Sequence, residues 1–358
     1  LALLVSWLLL CSLHARNPLV LNGGDGLLRR LLFFGLFLPL GARWSLDAAA
    51  RDGRAAADRW VSGVAAAALL VQVTLMYIVN GLLKFRGEHW VEGTAVRQVF
   101  SLEQFLVGLG PTLANYPRLL ELFAHVGLAL LVLSPGLLLF TGRARAALAG
   151  ALAAMHLGMA ATMMLGLFPF VSIVALLPFF PPAVWDAVDE HAPRLPAAKS
   201  LAGRLPTGGL SLPGAGRVGT AVAAVALVAL LVWNAAALGV VPTPDAVPDS
   251  AEPTDRTWDM FAPDPMTADG WWVVPGTLDS GARVDAFRGG PVDWAKPPDV
   301  SASYPGWRWR KYLADLRRSD SPALAHAFAA HLCDRWTARH DSRLTHVTPV
   351  YVRQETRL

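Results

Sequence analysis

Lys84 is the residue whose type and position most directly suggest chemistry. The chain has few lysines (Lys84, Lys199, Lys296 and Lys311), and among them only Lys84 ends a long apolar run, Val61–Leu83. A lysine taken out of water can serve as a general base. A lysine at the end of a membrane span can equally extend its ammonium group to the interface and catalyse nothing. The sequence leaves both interpretations open.

Polar residues inside the apolar runs form a second group of candidates. His156 lies near the middle of Ala146–Leu167, and an ionisable side chain at that depth is a functional-site hypothesis by default. The alternative is a neutral imidazole that hydrogen-bonds between two helices. His125 lies one turn inside its own run and is a further candidate. Asn80, on the Lys84 run, would either polarise a cavity or bond a neighbouring helix.

A third candidate is the segment Asn22-Gly23-Gly24-Asp25, which precedes another apolar run. Backbone amides at the start of a helix could hold an anion. A glycine pair before a helix is also typical of a plain turn. Neither interpretation is excluded by the sequence.

Long apolar helices must position these side chains. Hydrophobic residues make up 54% of the chain and charged residues only 16%, whereas a soluble domain carries about 25% charged residues. A run of about 20 apolar residues crosses a bilayer, and a backbone in lipid must bond to itself as a helix. The runs of that length are Val61–Leu83, Leu119–Phe140, Ala146–Leu167 and Val218–Val241.

Shorter apolar segments bring the expected total to six or seven spans. The sequence starts at Leu1 without a charged n-region, so Leu1–Leu13 is expected to be the end of a truncated helix. Leu27–Gly41 would span only with help from its flanks. Phe168–Val184 carries four prolines and is expected to form a kinked span or a re-entrant segment. The sequence therefore predicts an all-α polytopic membrane helical bundle over residues 1–241.

The remaining residues predict a linker, 242–253, and a small α+β soluble domain, 254–358. Gly270–Val274 and Ala282–Phe287 indicate a hairpin, and Val347–Val352 a last strand. Helical spacing is found over Trp307–Arg318 and Pro322–Arg339. The apolar positions of these two helices are Leu313, Leu316, Ala325, Phe328, Leu332 and Trp336.

Loop charges predict the topology. Most loop arginines and lysines fall in Arg43–Arg59, Thr141–Arg145 and Trp185–Arg217, and basic loops remain on the cytoplasmic side. If Phe168–Val184 spans the membrane, the C-terminal domain is extracytoplasmic. The expected location is the cell membrane, with several passes.

The sequence gives no support to several other classes of function. Cys11 and Cys333 are too isolated for a disulfide framework, and no metal-ligand spacing, P-loop or Gly-x-Ser-x-Gly motif is present. The net charge of +4 comes mostly from arginines in loops, and it does not indicate nucleic-acid binding. We predict neither a metal site nor a nucleic-acid partner.

Several motifs resemble the vitamin K-dependent γ-carboxylase. Tyr77–Lys84 followed by Trp90–Gly93 is similar to its Tyr-Phe-x-Ala-Gly-x-x-Lys and Trp-Val-Glu-Gly. Trp44–Asp47 is similar to its Trp-Ser-Val-Asp, and His156 with Gly166–Phe170 to its His and Gly-Met-Phe-Pro-Tyr. The broader group is the HTTM (horizontally transferred transmembrane) domain family. The chain resembles its prokaryotic members over nearly its whole length.

The resemblance implies a chemistry. In the carboxylase, the lysine matched by Lys84 deprotonates vitamin K hydroquinone. Oxygen then converts the anion to a stronger base, which removes a γ-proton from glutamate before carbon dioxide adds. For this chain, the resemblance implies a naphthoquinone-type quinol, with Lys84 as candidate base and His156 beside it. The residues expected to bind the cofactor are Asn80, Asn22, Asp25 and Trp90.

The sequence also departs from the carboxylase. Asn22–Asp25 stands in place of an Asn-Asn-His motif, one residue is inserted between Lys84 and Trp90, and the C-terminal region is short and different. The leading hypothesis is a carboxylase-like protein with membrane lipid, a quinone and a protein or peptide substrate as partners. The alternative is a non-catalytic maturation or export helper, or a lipid-binding protein.

Overall fold

The computed structural model describes residues 2–42, 45, 61–191, 215–243, 247, 259–319 and 321–356. Within these ranges the chain is mostly helical, and its small β-sheets lie after residue 259. We call residues 2–243 the helical region and residues 259–356 the C-terminal region. The predicted linker, 242–253, falls largely outside the described residues, as does Trp44–Asp47 apart from Ser45.

The helical region is a bundle whose longer members are joined by short helices and turns. Its helices are α1 (Ala2–Arg16), α2 (Gly23–Gly35), α3 (Val64–Lys84), α4 (Glu88–Val91), α5 (Ala95–Phe100), α6 (Gly110–Leu113), α7 (Pro117–Leu133), α8 (Gly136–Leu139), α9 (Gly142–Thr162), α10 (Phe168–Leu176), α11 (Pro182–His191) and α12 (Ala215–Ala237).

Three described helices are long and apolar enough to cross a membrane: Val64–Lys84, Gly142–Thr162 and Gly216–Ala237. A fourth span results if Phe168–Phe179 and Pro182–His191, which meet at a bend of 107°, are taken together. The prolines in this segment explain the break, because each removes a helical hydrogen bond. Both predicted forms, a kinked span and a re-entrant segment, agree with this geometry.

Other apolar helices are shorter than the roughly 20 residues that cross a bilayer. Leu119–Phe140 is divided at Ser134–Pro135 into α7, of 17 residues, and the short helix α8. The α1 helix has 15 residues and α2 has 13. Length and composition therefore identify three or four spans in the described residues, where the sequence predicted six or seven.

The bundle has a buried centre and an apolar outer face. Tyr77, Leu152 and Phe179 belong to the main core and are at most 2% exposed. On the outside, Leu157 is 60% exposed and Val225 is 70% exposed. Apolar side chains on an outer face are typical of helices that contact hydrocarbon.

The C-terminal region combines two small antiparallel sheets with two helices. Its strands are β1 (Ala268–Val273), β2 (Pro275–Leu278), β3 (Arg283–Asp285), β4 (Leu344–Val347) and β5 (Val350–Glu355). Its helices are α13 (Trp307–Arg318) and α14 (Pro322–Thr337). One sheet pairs β1 with β5, and the other has the order β3-β2-β4. The expected small α+β region is present.

Two predictions for the C-terminal region were wrong in detail. The hairpin is formed by β2 and β3, whereas β1 pairs with β5, from the far end of the chain. The pairing of β1 with β5 could not be predicted from the sequence, because a partner strand almost eighty residues away leaves no local turn signal. Ala325 is exposed on α14, although the other five predicted apolar positions are buried. The predicted last strand is divided between β4 and β5.

The C-terminal region packs directly on one end of the bundle. Asp264 accepts hydrogen bonds from the backbone amides of Glu88 (3.3 Å) and His89 (2.9 Å), which start α4. Asp269 accepts from the amides of Glu103 (3.0 Å) and Gln104 (3.3 Å). Each aspartate caps amides that a short helical turn leaves without a partner.

Gly87 marks the closest approach between the two regions. A Cβ atom built on Gly87 would lie 1.8 Å from the carbonyl oxygen of Pro263. The φ angle of Gly87 is −98°, which any residue adopts. Glycine is therefore required here by space rather than by backbone conformation.

We expect Gly87→Ala to loosen the C-terminal region from the bundle. The added methyl group meets the backbone of Pro263 and the side chain of Asp264, and overpacking of this kind costs about 2 kcal/mol. Limited proteolysis of the purified protein should then cut more rapidly near residues 242–258. Gly306→Ala is the matched control, because a Cβ at Gly306 meets no atom within 4 Å. Equal cleavage of the two variants would contradict the assignment.

Candidate functional site

A large cavity lies where the bundle meets the C-terminal region. Its volume is about 1860 Å³, which exceeds the roughly 300–1,000 Å³ of ordinary small-molecule pockets. Residues of both regions line it. Those that the sequence had predicted as site residues are Asn22, Asn80, Lys84, Trp90 and His156.

Lys84 is the last residue of α3, and its side chain is buried. The residue is only 4% exposed. Its Nζ lies 3.6 Å from the centroid of the Trp90 ring, a cation–π distance. No carboxylate lies within ion-pair distance of Nζ among the described residues. The amine therefore lines the cavity, where it contacts an aromatic face and has no acidic partner there.

Trp90 is held in turn by the C-terminal region. Its indole Nε1 donates a hydrogen bond of 2.7 Å to the carbonyl oxygen of Phe261. Phe261 has a φ of 57°, rare for a residue other than glycine. Its ring packs edge-on against Phe105 at 5.3 Å. The position of the aromatic face above Lys84 thus depends on a residue beyond the predicted linker.

His156 lies in the buried part of α9 and is 2% exposed. Its Nε2 is 3.0 Å from the hydroxyl oxygen of Tyr77, and its ring packs edge-on against Phe168 at 5.5 Å. The other ring nitrogen, Nδ1, is buried without a hydrogen-bond partner in the described structure. The alternative interpretation, an imidazole that only hydrogen-bonds between two helices, accounts for Nε2 but not for Nδ1.

Asn22 and Asp25 build the start of α2. The Asn22 side chain accepts from the amides of Gly24 (2.9 Å) and Asp25 (3.3 Å), and Asp25 accepts from the amide of Asn22 (2.9 Å). This reciprocal arrangement is a capping box. Those amides are therefore engaged within the chain. The geometry favours the turn over anion binding by these amides.

Asp25 also joins the two regions. Arg308 of α13 donates to the Asp25 carboxylate at 3.0 Å. The Asp25 side chain is 5% exposed, and the Arg308 side chain 42%. His125 is different from the other candidates: it is exposed, lies outside the cavity lining and bonds the backbone of Glu121.

The C-terminal region contributes lining residues that the sequence did not reveal. Arg310 of α13 lies over the ring of Phe105 at 3.9 Å and donates to the carbonyl oxygen of Met164 at 3.3 Å. Burial lowers the pKa of Arg310 to about 10, so it remains charged at neutral pH. Burial also raises the pKa of Tyr304, another lining residue. The five basic residues within Trp307–Arg318 were the available signal in the sequence.

The rest of the cavity is apolar and open at one side. Its lining between the helices includes Met76, Leu130, Leu131, Met155, Met159 and Phe168. Phe123 and Val126 of α7 line it although they are 42% and 47% exposed. Ala154 and Gly158 of α9 are likewise both lining and exposed. The cavity therefore opens between α7 and α9 on the apolar outer face.

Among the described residues, no group of three or more histidine, cysteine, aspartate or glutamate side chains could hold a metal ion. The cavity lining includes lysine, histidine, tyrosine, tryptophan and arginine side chains.

Comparison with known proteins gives one match. The family model of the HTTM domain matches residues 27–185. No curated protein and no solved structure matches the chain. The matched segment contains α3, α9 and most of the helices between which the cavity lies. Its long apolar helices agree with a membrane protein. The chain therefore contains an HTTM domain over residues 27–185.

Proposed function

We propose that the cavity binds a quinol of the naphthoquinone type and that Lys84 acts as the base that removes its proton. One observation carries this proposal: Lys84 and His156, predicted separately as reactive groups, line the same cavity together with Asn80. A base must lie within hydrogen-bond reach of its substrate. A shared cavity is the first condition for that.

The residues present fit such a cofactor. The apolar lining between α7 and α9 suits an isoprenoid chain, and the opening toward the outer face would admit a ligand from the hydrocarbon. The buried Nδ1 of His156 offers a polar contact for a hydroxyl group. When bound, a quinol would supply reducing equivalents and, with oxygen, the strong base needed to carboxylate glutamate.

Each residue has a distinct proposed role. Lys84 takes the proton. Among the described residues, no acidic side chain holds the Lys84 amine in an ion pair. The Trp90 ring fixes the position of the Lys84 amine. His156, oriented by the Tyr77 hydroxyl, positions the ring of the ligand. Asn80 would bind a second polar group of the ligand. Asn22 and Asp25 hold the start of α2 and contribute indirectly.

We expect Lys84→Ala to reduce turnover of a naphthoquinol by about 100-fold or more, the usual contribution of general-base catalysis. Purified protein would be given the quinol, oxygen, bicarbonate and a glutamate-containing peptide. Quinol consumption and γ-carboxyglutamate would be followed by mass spectrometry. Lys296→Ala is the control. Lys296 lies in the C-terminal region, pairs with Glu103 of the helical region and lies outside the cavity lining.

The outcomes separate the alternatives. Equal turnover by the Lys84 and Lys296 variants would refute the base. If the unmodified protein consumes the quinol but forms no γ-carboxyglutamate, and the Lys84 variant does not consume the quinol, quinol chemistry is supported and carboxylation is excluded. Quinone binding without turnover in the unmodified protein would identify a lipid-binding protein.

We expect Gly158→Trp to weaken quinone binding at least about tenfold. Gly158 lines the opening of the cavity, and its Cβ position meets no atom within 4 Å, so an indole there would fill the opening without distorting α9. Gly150→Trp is the matched control on the same helix, since Gly150 has equal space but lies outside the lining. Quinone fluorescence quenching would measure both; equal affinities would argue against entry between α7 and α9.

We also propose that the C-terminal region is extracytoplasmic. The C-terminal end of α3 and the N-terminal end of α2 both contact it, so the basic segment 43–59 connects the opposite helix ends. Alkaline phosphatase fused after Leu358 should be active in intact cells, whereas the same enzyme inserted within 43–59 should not. The reverse pattern would place the C-terminal region in the cytoplasm.

A further inference from the structure

Arg310 is a cation without an acidic partner in the lining of the cavity. Other basic residues of the C-terminal region have carboxylate partners: Arg308 pairs with Asp25, Lys296 with Glu103, Arg288 with Asp285, and both Lys311 and Arg318 with Asp315. Among the described residues, no carboxylate lies within 4.0 Å of the Arg310 guanidinium. Arg310 thus differs from Arg308, Lys311 and Arg318 on the same helix.

The guanidinium also has unused hydrogen-bonding capacity. Arginine carries five N–H donors. The structure gives Arg310 one hydrogen bond, from Nη2 to the carbonyl oxygen of Met164, and its Nε is buried without a partner in the described residues. A buried charge is expensive unless it is paired and hydrogen-bonded. An anion in the cavity would supply both requirements.

The surroundings of Arg310 add positive charge. Arg317 lines the same part of the cavity and lies over the Tyr351 ring at 5.1 Å, with no carboxylate partner among the described residues. Lys311 and Arg318 share the single carboxylate of Asp315. Asp259 also lines this part, and burial raises its pKa. The cations exceed the carboxylates here.

The shape of the cavity restricts the kind of anion. From Arg310 the lining continues past Phe105 to the apolar space between α7 and α9, which opens on the outer face. A ligand that satisfies both parts has a charged group at one end and hydrocarbon at the other. The main anionic amphiphiles of membranes carry phosphate, and the fork of arginine matches phosphate oxygens.

We propose that Arg310 and Arg317 form a binding site for the phosphate headgroup of an anionic membrane lipid, whose chains occupy the space between α7 and α9. The phosphate site differs from the proposed site of the quinol ring, although both ligands would place their chains in the space between α7 and α9. Arg310 contacts Phe105, whereas Lys84 contacts Trp90, and the Phe261 residue lies between them. The lipid site does not require Lys84 to act as a base.

Native mass spectrometry of the full chain in neutral detergent tests this proposal. Phosphatidylglycerol and phosphatidylcholine with identical chains would be offered in equal amounts. We expect the unmodified protein to retain phosphatidylglycerol selectively. Arg310→Gln should lower that preference about tenfold or more, because a charge-assisted hydrogen bond contributes that much to affinity. Arg339→Gln is the control, an exposed arginine outside the lining with the same change of charge.

Further variants and ligands keep the result decisive. Arg317 is exposed, so Arg317→Gln should fold normally and still lower the preference; this variant decides the matter if Arg310→Gln does not fold. Equal retention of the two lipids by the unmodified protein would overturn the proposal, as would equal preference in the Arg317 and Arg339 variants. Inorganic phosphate that displaces phosphatidylglycerol at millimolar concentration would show a site for free anions and would overturn the lipid assignment.

Discussion

Asp264 and Asp269 extend from the C-terminal region to the backbone amides of two short helical turns, and the cavity depends on those bonds. The turns lie in the connection that follows α3. Their first amides have no partners of their own, and each carboxylate satisfies two of them. By capping the turns, the aspartates bring the carbonyl oxygen of Phe261 to Trp90, and with it the ring that lies against Lys84. The environment of Lys84 is therefore built from residues of both the helical region and the C-terminal region.

Lys84 and Arg310 follow the same physical pattern. Each cation is held over an aromatic ring, Trp90 at 3.6 Å and Phe105 at 3.9 Å, and neither has a carboxylate partner among the described residues. An aromatic face attracts a cation without neutralising it. Neither the Lys84 amine nor the Arg310 guanidinium is therefore held by a described carboxylate, and each can bind a ligand. The two aromatic rings are connected through Phe261, which bonds one and packs on the other.

The sequence predicted helices well wherever apolar runs were long, as over Val64–Lys84, because hydrocarbon leaves the backbone no alternative. It predicted the association of Lys84 and His156 only through the resemblance of their motifs, since spacing along the chain does not show which helix faces meet. It missed Arg310 and the pairing of β1 with β5. Both depend on contacts between distant segments, which no local pattern records. The same limit explains why Asp25 was predicted as a ligand although its carboxylate caps a helix and binds Arg308.

The pairing of β1 with β5 has a consequence for the order of assembly. The β5 strand, Val350–Glu355, lies among the last residues of the sequence, and Thr356 accepts a hydrogen bond from Gln98 in α5. During synthesis, the helices of the helical region leave the ribosome long before this strand does. Until β5 pairs with β1, the C-terminal region that lines the polar end of the cavity is incomplete. A late segment of the chain therefore completes the cavity, and a product that lacks β5 would insert its helices without completing the site.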